Sequence, residues 1–164
     1  MNTDAAGATV APSWQTEIEE ALDAFHGVMA LTGAAWERSW LEVDYLPAPH
    51  TPPRSMPLGR HAVYAYWGSG EWLKIGKAGP DSGPRYTSHH YHLSASSSLA
   101  RSLCNEMSLE GLDDLYPSNP GAWIREHCSR VSILLPATLL PEYPSFLEAF
   151  LHLRLHPRYE GAKR

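Results

Sequence analysis

The chain of 164 residues has little cysteine, no long apolar run and no excess of positive charge. Its two cysteines, Cys104 and Cys128, lie in neither a CxxC nor another metal-ligand spacing. This excludes a disulfide scaffold and predicts reduced thiols in a cytoplasm. No apolar stretch approaches the roughly 20 residues that span a bilayer, and the N-terminus lacks the basic and apolar segments of a secretory signal. We therefore expect a soluble, cytoplasmic protein without a membrane partner.

The charge is acidic overall, and the formal net charge of -5 excludes a generic basic nucleic-acid coat. Its distribution is uneven, however. Residues 1–58 carry a balance of -6 and residues 104–144 a balance of -4, whereas residues 59–103 carry +3 and residues 145–164 carry +2. A locally basic surface on an acidic protein can attract phosphate while limiting nonspecific retention. Ordinary scatter of surface charge accounts for the same pattern.

The first part of the chain is predicted as a flexible tail over residues 1–12, followed by an N-terminal helix and a proline-rich connector over residues 13–58. The helix begins at Ser13, with Thr16 and Glu19 spaced as a capping box. The prolines of the connector exclude regular helix or inner strand. The apolar stripe of the helix consists of Ile18, Leu22, Phe25 and Met29, continued after a break by Trp36, Trp40 and Val43.

Residues 59–164 are predicted to form the main domain, an α+β fold in which a small three-stranded antiparallel sheet is flanked by helices. Two strands of alternating or aromatic character and the turn Gly68-Ser-Gly70 form a hairpin. A third, buried strand ends before Pro136. The predicted strands cover residues 62–67, 71–75 and 131–135, and the predicted helices cover residues 84–90, 97–107 and 145–155, with a short helix opened by Asn119.

Four separated motifs in this domain form an ordered set. Val63-Tyr64 lies on the first strand and Lys74-Ile75-Gly76 on its hairpin partner, with ten residues from Tyr64 to Lys74. Arg85 is followed four residues later by His89, and Glu148 lies near the start of the last helix. In order and spacing, this set resembles the GIY-YIG nuclease family. The sequence around Lys74 is similar to a bacterial subgroup in which lysine replaces the second signature tyrosine.

The sequence departs from the family pattern at two positions. Lys74 takes the place of the second signature tyrosine, as it does in some restriction-enzyme members. Glu160 stands near the position where many members carry a closing asparagine. The first change bears on the proton-transfer scheme, and the second on the support of the site by the C-terminal segment.

The resemblance implies hydrolysis of a phosphodiester bond, which needs an activated nucleophile and stabilisation of charge in the transition state. Tyr64 would act as general base, provided that neighbouring cations lower its pKa from about 10. Lys74 and Lys77 are the candidates for that effect. Without the motif, a half-buried strand aromatic is the simpler interpretation of Tyr64.

The phosphate would be bound by a second group of residues. Arg85 would clamp it, because the planar guanidinium matches paired oxygens. His89 follows one helical turn later on the same face and would assist there, together with Lys74. Three further residues are expected to contact the substrate, namely Lys77, Tyr86 and His90.

Glu148 would hold a single Mg²⁺ or Mn²⁺, because a hard ion is satisfied by one carboxylate with waters and phosphate oxygens. A two-metal nuclease needs a cluster of carboxylates, and residues 59–103 offer only Glu71 and Asp81. The sequence therefore predicts one ion. An exposed glutamate near a helix start, favoured by the helix dipole, is the alternative interpretation of Glu148.

Two other chemistries fit the sequence poorly. A metal cluster of His89, His90 and His92 is disfavoured because adjacent histidines rarely share a face and no HExxH or Cys/His framework accompanies them. The segment Gly76-Lys77-Ala78-Gly79 lacks the spacing of a phosphate loop, which argues against a nucleotide hydrolase.

The main expectation is a metal-dependent endonuclease that hydrolyses DNA and, by resemblance, leaves a 5′-phosphate. The first alternative is a nucleic-acid-binding or regulatory module that has the same fold without catalysis. The second is a partner-dependent subunit, in which residues 13–46 dock to another protein or to a second copy of the chain.

Overall fold

A computed structural model describes residues 11–95, 97–106 and 119–159. These residues form a mixed fold of helices and one antiparallel sheet, which confirms the predicted α+β class. Two short 3-10 turns, Arg38–Trp40 and His89–Tyr91, interrupt the loops. The helices and strands are α1 Ser13–Thr32, β1 Glu42–Leu46, β2 Arg60–Gly68, β3 Glu71–Ala78, α2 Gly83–Thr87, α3 Leu99–Asn105, α4 Pro120–His127, β4 Ser129–Pro136 and α5 Glu142–Leu155.

Among the described residues the sheet has four strands in the order β1-β4-β2-β3, so the prediction of three strands was wrong. The additional strand is β1, which pairs antiparallel with β4 from Glu42 opposite Leu134 to Leu46 opposite Arg130. Its residues alternate between exposed and half-buried at the first four positions, as a strand with one covered face requires. Val43, which was predicted to continue a helical stripe, belongs to this alternation.

The two faces of the sheet are covered by different helices. Along β2, Val63 and Ala65 face the helices α1 and α5, whereas Ala62, Tyr64 and Tyr66 face the helices α2, α3 and α4. This alternation follows from the two-residue period of a strand. It places Tyr64 on the face opposite to α1, within a core that contains several polar groups.

The segment that was expected as an N-terminal appendage contributes to the shared core. The predicted stripe of α1 is buried against the sheet and α5, and burial of each large apolar side chain contributes about 1.5–3 kcal/mol. The helix follows Pro12 and its first turn has no side-chain cap, so Thr16 and Glu19 do not form the predicted capping box. Gly33, with φ of 71°, ends the helix in the left-handed region.

His50 holds the proline-rich connector against the end of α4. The backbone N–H of His50 donates to the carbonyl of Arg125 at 2.8 Å. Its imidazole hydrogen-bonds the Cys128 carbonyl and the Tyr91 hydroxyl, each at 2.7 Å. The peptide bond between Ala48 and Pro49 is cis.

The outer edge of β3 is partly covered by the segment after α5. The backbone N–H groups of Arg158 and Tyr159 donate to the carbonyls of Trp72 and Leu73, each at 2.9 Å. The Arg158 guanidinium also pairs with Glu71 and Glu106. In the part of the chain that the structure describes, no helix combines the length and the apolar character that crossing a membrane requires.

Candidate active site

Two clefts meet at the edge of β3, and both are lined by Arg85 and Glu148. We call the first, of about 340 Å³, the Lys77 cleft and the second, of about 370 Å³, the His90 cleft. The edge position lets α2, from one face of the sheet, and α5, from the other, approach the same strand. The Lys77 cleft also contains His61, Lys77, Ser82 and Ser145, and the His90 cleft also contains Lys74, Gly76, His90 and His152.

Tyr64 is fully buried beneath this edge. It lies opposite Gly76 in the register of β2 and β3, and a Cβ on that glycine would be 2.9 Å from the Tyr64 hydroxyl oxygen. Only glycine at position 76 leaves room for the phenol ring at this height. The last residue of the Lys74-Ile75-Gly76 motif therefore has a steric explanation.

The expected lowering of the Tyr64 pKa does not occur in the free protein. Burial raises this pKa above its ordinary value, because a phenolate loses its hydration inside the protein. The charges of Arg85 and Arg130 act to lower this pKa. Two arginines therefore oppose the effect of burial without overcoming it.

Arg85 and Lys74 bring positive charge to the clefts from different elements. Arg85 lies on α2, is exposed and lines both clefts. Lys74 lies on β3, is buried and lines the His90 cleft. The pKa values of His89 and His90 are both lowered by burial, with Lys74 and Arg85 among the charges that add to this effect.

The structure places His89 and His90 in different surroundings. The helix α2 ends at Thr87, and Ser88 leaves helical geometry, so His89 is not one helical turn from Arg85 on a shared face. The His89 ring is half-buried and lies 3.4 Å from the Ser97 hydroxyl. His90 is buried, lines the cleft and hydrogen-bonds the Tyr64 hydroxyl at 2.8 Å.

Glu148 lies in the middle of α5, because the helix begins at Glu142 rather than at Ser145. Its carboxylate accepts a hydrogen bond from Lys77 Nζ at 2.5 Å, and its side chain is 20 % exposed. Lys77, predicted to contact the substrate, is thus paired with the predicted metal ligand.

The donor set suits a hard ion that takes most of its ligands from elsewhere. Within residues 11–95, 97–106 and 119–159, no three or more His, Cys, Asp or Glu side chains are grouped around a possible metal position. A single carboxylate such as Glu148 still fits Mg²⁺ or Mn²⁺, which retain waters and bind phosphate oxygens. Among the described residues that line the two clefts, Glu148 is the one carboxylate, which is compatible with a single ion.

Tyr86 is buried in the core rather than placed on the cleft wall. Its ring packs against the guanidinium of Arg130, with 4.7 Å between the guanidinium carbon and the ring centroid. Tyr86 thus has a packing role in this structure. Glu160 and most of the predicted N-terminal tail lie outside the described residues.

Arg130 was missed at the sequence level. It is fully buried on β4, and its guanidinium carbon is 5.2 Å from the centroid of Tyr64 and 5.5 Å from that of Tyr66. Nη2 donates to the Tyr86 carbonyl at 2.7 Å, whereas Nε and Nη1 have no hydrogen-bond partner among the described residues. The available signal was a charged residue next to an apolar run, since buried arginine is rare unless it is paired.

Comparisons with known proteins add no relative. A scan against protein-family models gave no match, a search of curated proteins gave no match, and a search of solved structures gave no match.

Proposed function

We propose that the chain is a divalent-metal-dependent endonuclease of the GIY-YIG type that hydrolyses phosphodiester bonds in DNA. The observation that carries the proposal is the convergence of residues from distant segments. Arg85 and Glu148, which are 63 positions apart in the sequence, line both clefts, and Tyr64 lies directly beneath them. Both cysteines are free thiols, which supports a cytoplasmic location as part of this proposal.

Substrate binding in this scheme begins with Arg85. Its exposed guanidinium would donate two hydrogen bonds to the scissile phosphate. Because Arg85 lines both clefts, the bound DNA strand would extend from the cleavage position into the Lys77 cleft on one side and into the His90 cleft on the other. Lys74 would add positive charge on the side of the His90 cleft.

Proton transfer would involve Tyr64, beside the arginine that binds the phosphate. The charge of Arg85 already acts to lower the pKa of Tyr64 in the free protein, so the residue that binds the phosphate would also favour ionisation of the base. Tyr64 would first lose its phenolic proton to solvent, and the resulting phenolate would take a proton from the attacking water. The new phosphorus–oxygen bond would form as the bond to the 3′ oxygen breaks, the leaving 3′ oxygen would take up a proton from solvent, and the 5′-phosphate would remain on the other fragment.

Glu148 would hold the ion, and when bound the ion would stabilise the negative charge that develops on the phosphate and the leaving oxygen. In the free protein, Lys77 balances the charge of the Glu148 carboxylate. This pairing orients the carboxylate before substrate arrives.

The test is cleavage of labelled single-stranded DNA, double-stranded DNA and RNA with Mg²⁺, Mn²⁺ or EDTA. We expect metal-dependent cutting of DNA that is lost in Glu148→Gln, which keeps the shape of the side chain and removes its charge. Glu142→Gln is the matched control, because Glu142 lies exposed on the same helix. Cutting that persists in Glu148→Gln would contradict the proposed metal ligand.

A second candidate is a nucleic-acid-binding module without catalysis. It is favoured by the complete burial of Tyr64 and by the engagement of Glu148 with Lys77. Binding of DNA by the native chain in a gel-shift assay, without cutting under any metal condition, would select this candidate.

A further inference from the structure

The two ring nitrogens of His90 have different partners. The backbone N–H of Leu99 donates to Nδ1 at 3.1 Å, and Nε2 lies 2.8 Å from the hydroxyl oxygen of Tyr64. The ring is buried, and it is therefore held between the start of α3 and the phenol.

These partners determine which nitrogen carries the proton. Burial lowers the pKa of His90 to about 2, with the charges of His89, Lys74 and Arg130 among the further causes, so the ring is neutral. A neutral imidazole has one N–H and one acceptor nitrogen. Since Nδ1 accepts from Leu99, the proton is on Nε2, and Nε2–H donates to Tyr64.

This orientation limits what His90 can do. A protonated Nε2 cannot receive the Tyr64 proton, and Nδ1 is already occupied by the backbone. His90 is therefore not a proton shuttle. It donates to the phenolic oxygen, and such a bond becomes stronger when the acceptor is charged.

Arg130 contacts the same phenol from the sheet. Burial of a charged group is unfavourable unless the group is paired, and Nε and Nη1 of Arg130 lack a hydrogen-bond partner among the described residues. Ionisation of Tyr64 would place a negative charge near this guanidinium. The free state of the protein thus contains a buried cation for which the phenolate would be the counter-ion.

We propose that His90 and Arg130 are positioning residues that act through Tyr64, His90 by donating Nε2–H to the phenolic oxygen and Arg130 by balancing the charge of the phenolate. This inference rests on the proposed function, in which Tyr64 acts as a general base and must therefore be a phenolate. Several titratable or charged groups face this arrangement from the elements around it. They are Tyr66 on β2, Arg85 and Tyr86 on α2, Arg130 on β4, Glu148 on α5 and, acting on His90, its neighbour His89 and Lys74 on β3.

The first test observes the native ring of His90. Nitrogen-15 NMR of the imidazoles, with the His90 signals assigned from their loss in His90→Gln, reports which nitrogen carries the proton. We expect the Nε2–H form near neutral pH. An Nδ1–H form or an imidazolium would overturn the proposal.

The second test follows the ionisation of Tyr64 itself. Fluorotyrosine incorporated at position 64 alone reports ionisation by fluorine NMR. We expect His90→Phe to raise the titration midpoint by about one pH unit or more, because a hydrogen bond to a charged group is lost. His90→Gln, which retains an N–H donor, should restore part of that shift, and Arg130→Met should raise the midpoint as well.

His92→Phe is the control, because His92 is exposed and lies two residues away. An unchanged midpoint in His90→Phe would overturn the proposal. So would a native phenol that remains un-ionised up to the pH at which the protein unfolds.

The cleavage assay separates this inference from the proposed function. A chain that cuts nothing, yet shows the expected tautomer and midpoint shifts, would refute the nuclease and retain the positioning of Tyr64. A chain that cuts DNA with unshifted midpoints would do the reverse. If the chain is active, His90→Phe should lower kcat and move the ascending limb of the pH profile, which reports the ionisation of Tyr64, to higher pH, with little change in KM.

Discussion

The two faces of the sheet are buried to a similar degree but are made of different side chains. The face under α1 and α5 is closed by aliphatic and aromatic residues such as Ile18, Phe25 and Leu147. The opposite face buries Tyr64, His90 and Arg130 within hydrogen-bonding or ring contact of one another. Buried polar groups that are only partly satisfied reduce stability. Under the proposed function, the face next to the clefts would carry the chemistry, whereas the other face contributes mainly to stability.

The largest expected effect is a loss of stability when a large side chain of the apolar face is removed. Phe25 is fully buried and packs against Trp36, Phe146 and Phe150, with ring centroids 5.3–5.4 Å apart. Phe25→Ala should lower the free energy of unfolding by about 3–5 kcal/mol in urea denaturation, since it removes a large side chain and leaves a cavity. Leu31→Ala, at an exposed position of the same helix, should have little effect. Equal stabilities for the two variants would contradict the assigned packing.

At Arg85 we expect the opposite result, a loss of activity without a loss of stability. Arg85→Met should reduce cleavage about 10²–10³-fold through loss of charge stabilisation in the transition state, while the unfolding curve stays unchanged because the residue is exposed. The matched control is Arg54→Met, also at an exposed position, which should retain full activity. Loss of activity in both variants would indicate general binding through surface charge instead of a specific clamp.

A smaller effect is expected at Gly76, which lines the His90 cleft and lies against the buried phenol of Tyr64. The added methyl of Gly76→Ala would meet the Tyr64 hydroxyl at 2.9 Å and displace it. We expect cleavage to fall about 10²-fold, because small misplacements of a reacting group have effects of this size. Gly27→Ala places its methyl in open space and should leave kcat unaltered. Wild-type kcat in Gly76→Ala would argue against Tyr64 as the base.

The polar face should also make stability sensitive to acid. The pKa of His90 falls from 6.5 to about 2 on folding, so the unfolded chain binds more protons than the folded protein between those values. Stability should therefore decrease below about pH 6.5, by about 1.4 kcal/mol per pH unit from this residue. Urea unfolding at about pH 7 and about pH 5 measures the slope.

The decisive comparison is between His90→Gln, which should flatten this slope, and His92→Gln, which should preserve it. His50, whose pKa is also lowered by burial, contributes in the same direction in both variants. An identical slope in His90→Gln and the native chain would show that other groups cause the acid sensitivity.

Much of the fold could be predicted where one residue pattern persists over many positions. The stripe of α1 and the hairpin of β2 and β3 are of this kind, and the structure contains them. The strand β1 could not be recognised because five residues carry little periodicity, and its partner β4 lies about ninety positions away. Its existence depends on tertiary pairing more than on local preference.

The site was less predictable because it depends on the exact residue at which a short helix ends. A helix that ends at Thr87 instead of continuing shifts the chain, so that His90 rather than His89 is buried beside Tyr64. Each residue of an α-helix turns the side chain by about 100°, so one early ending changes which neighbour faces inward. Arg130 was not predicted for another reason, since its partners are aromatic rings from two other segments, β2 and α2.

The position of β3 at the sheet margin affects how copies of the chain meet one another. An uncovered strand edge is a template for pairing with another molecule and, by repetition, for aggregation. The N–H groups of Arg158 and Tyr159 occupy the carbonyls of Trp72 and Leu73 on this margin. Farther along, Lys77 adds a half-exposed charge of the kind that discourages strand addition. The margin is thus protected against the addition of a polypeptide strand, and a chain ending before Arg158 would lose the part of that protection that these two hydrogen bonds provide.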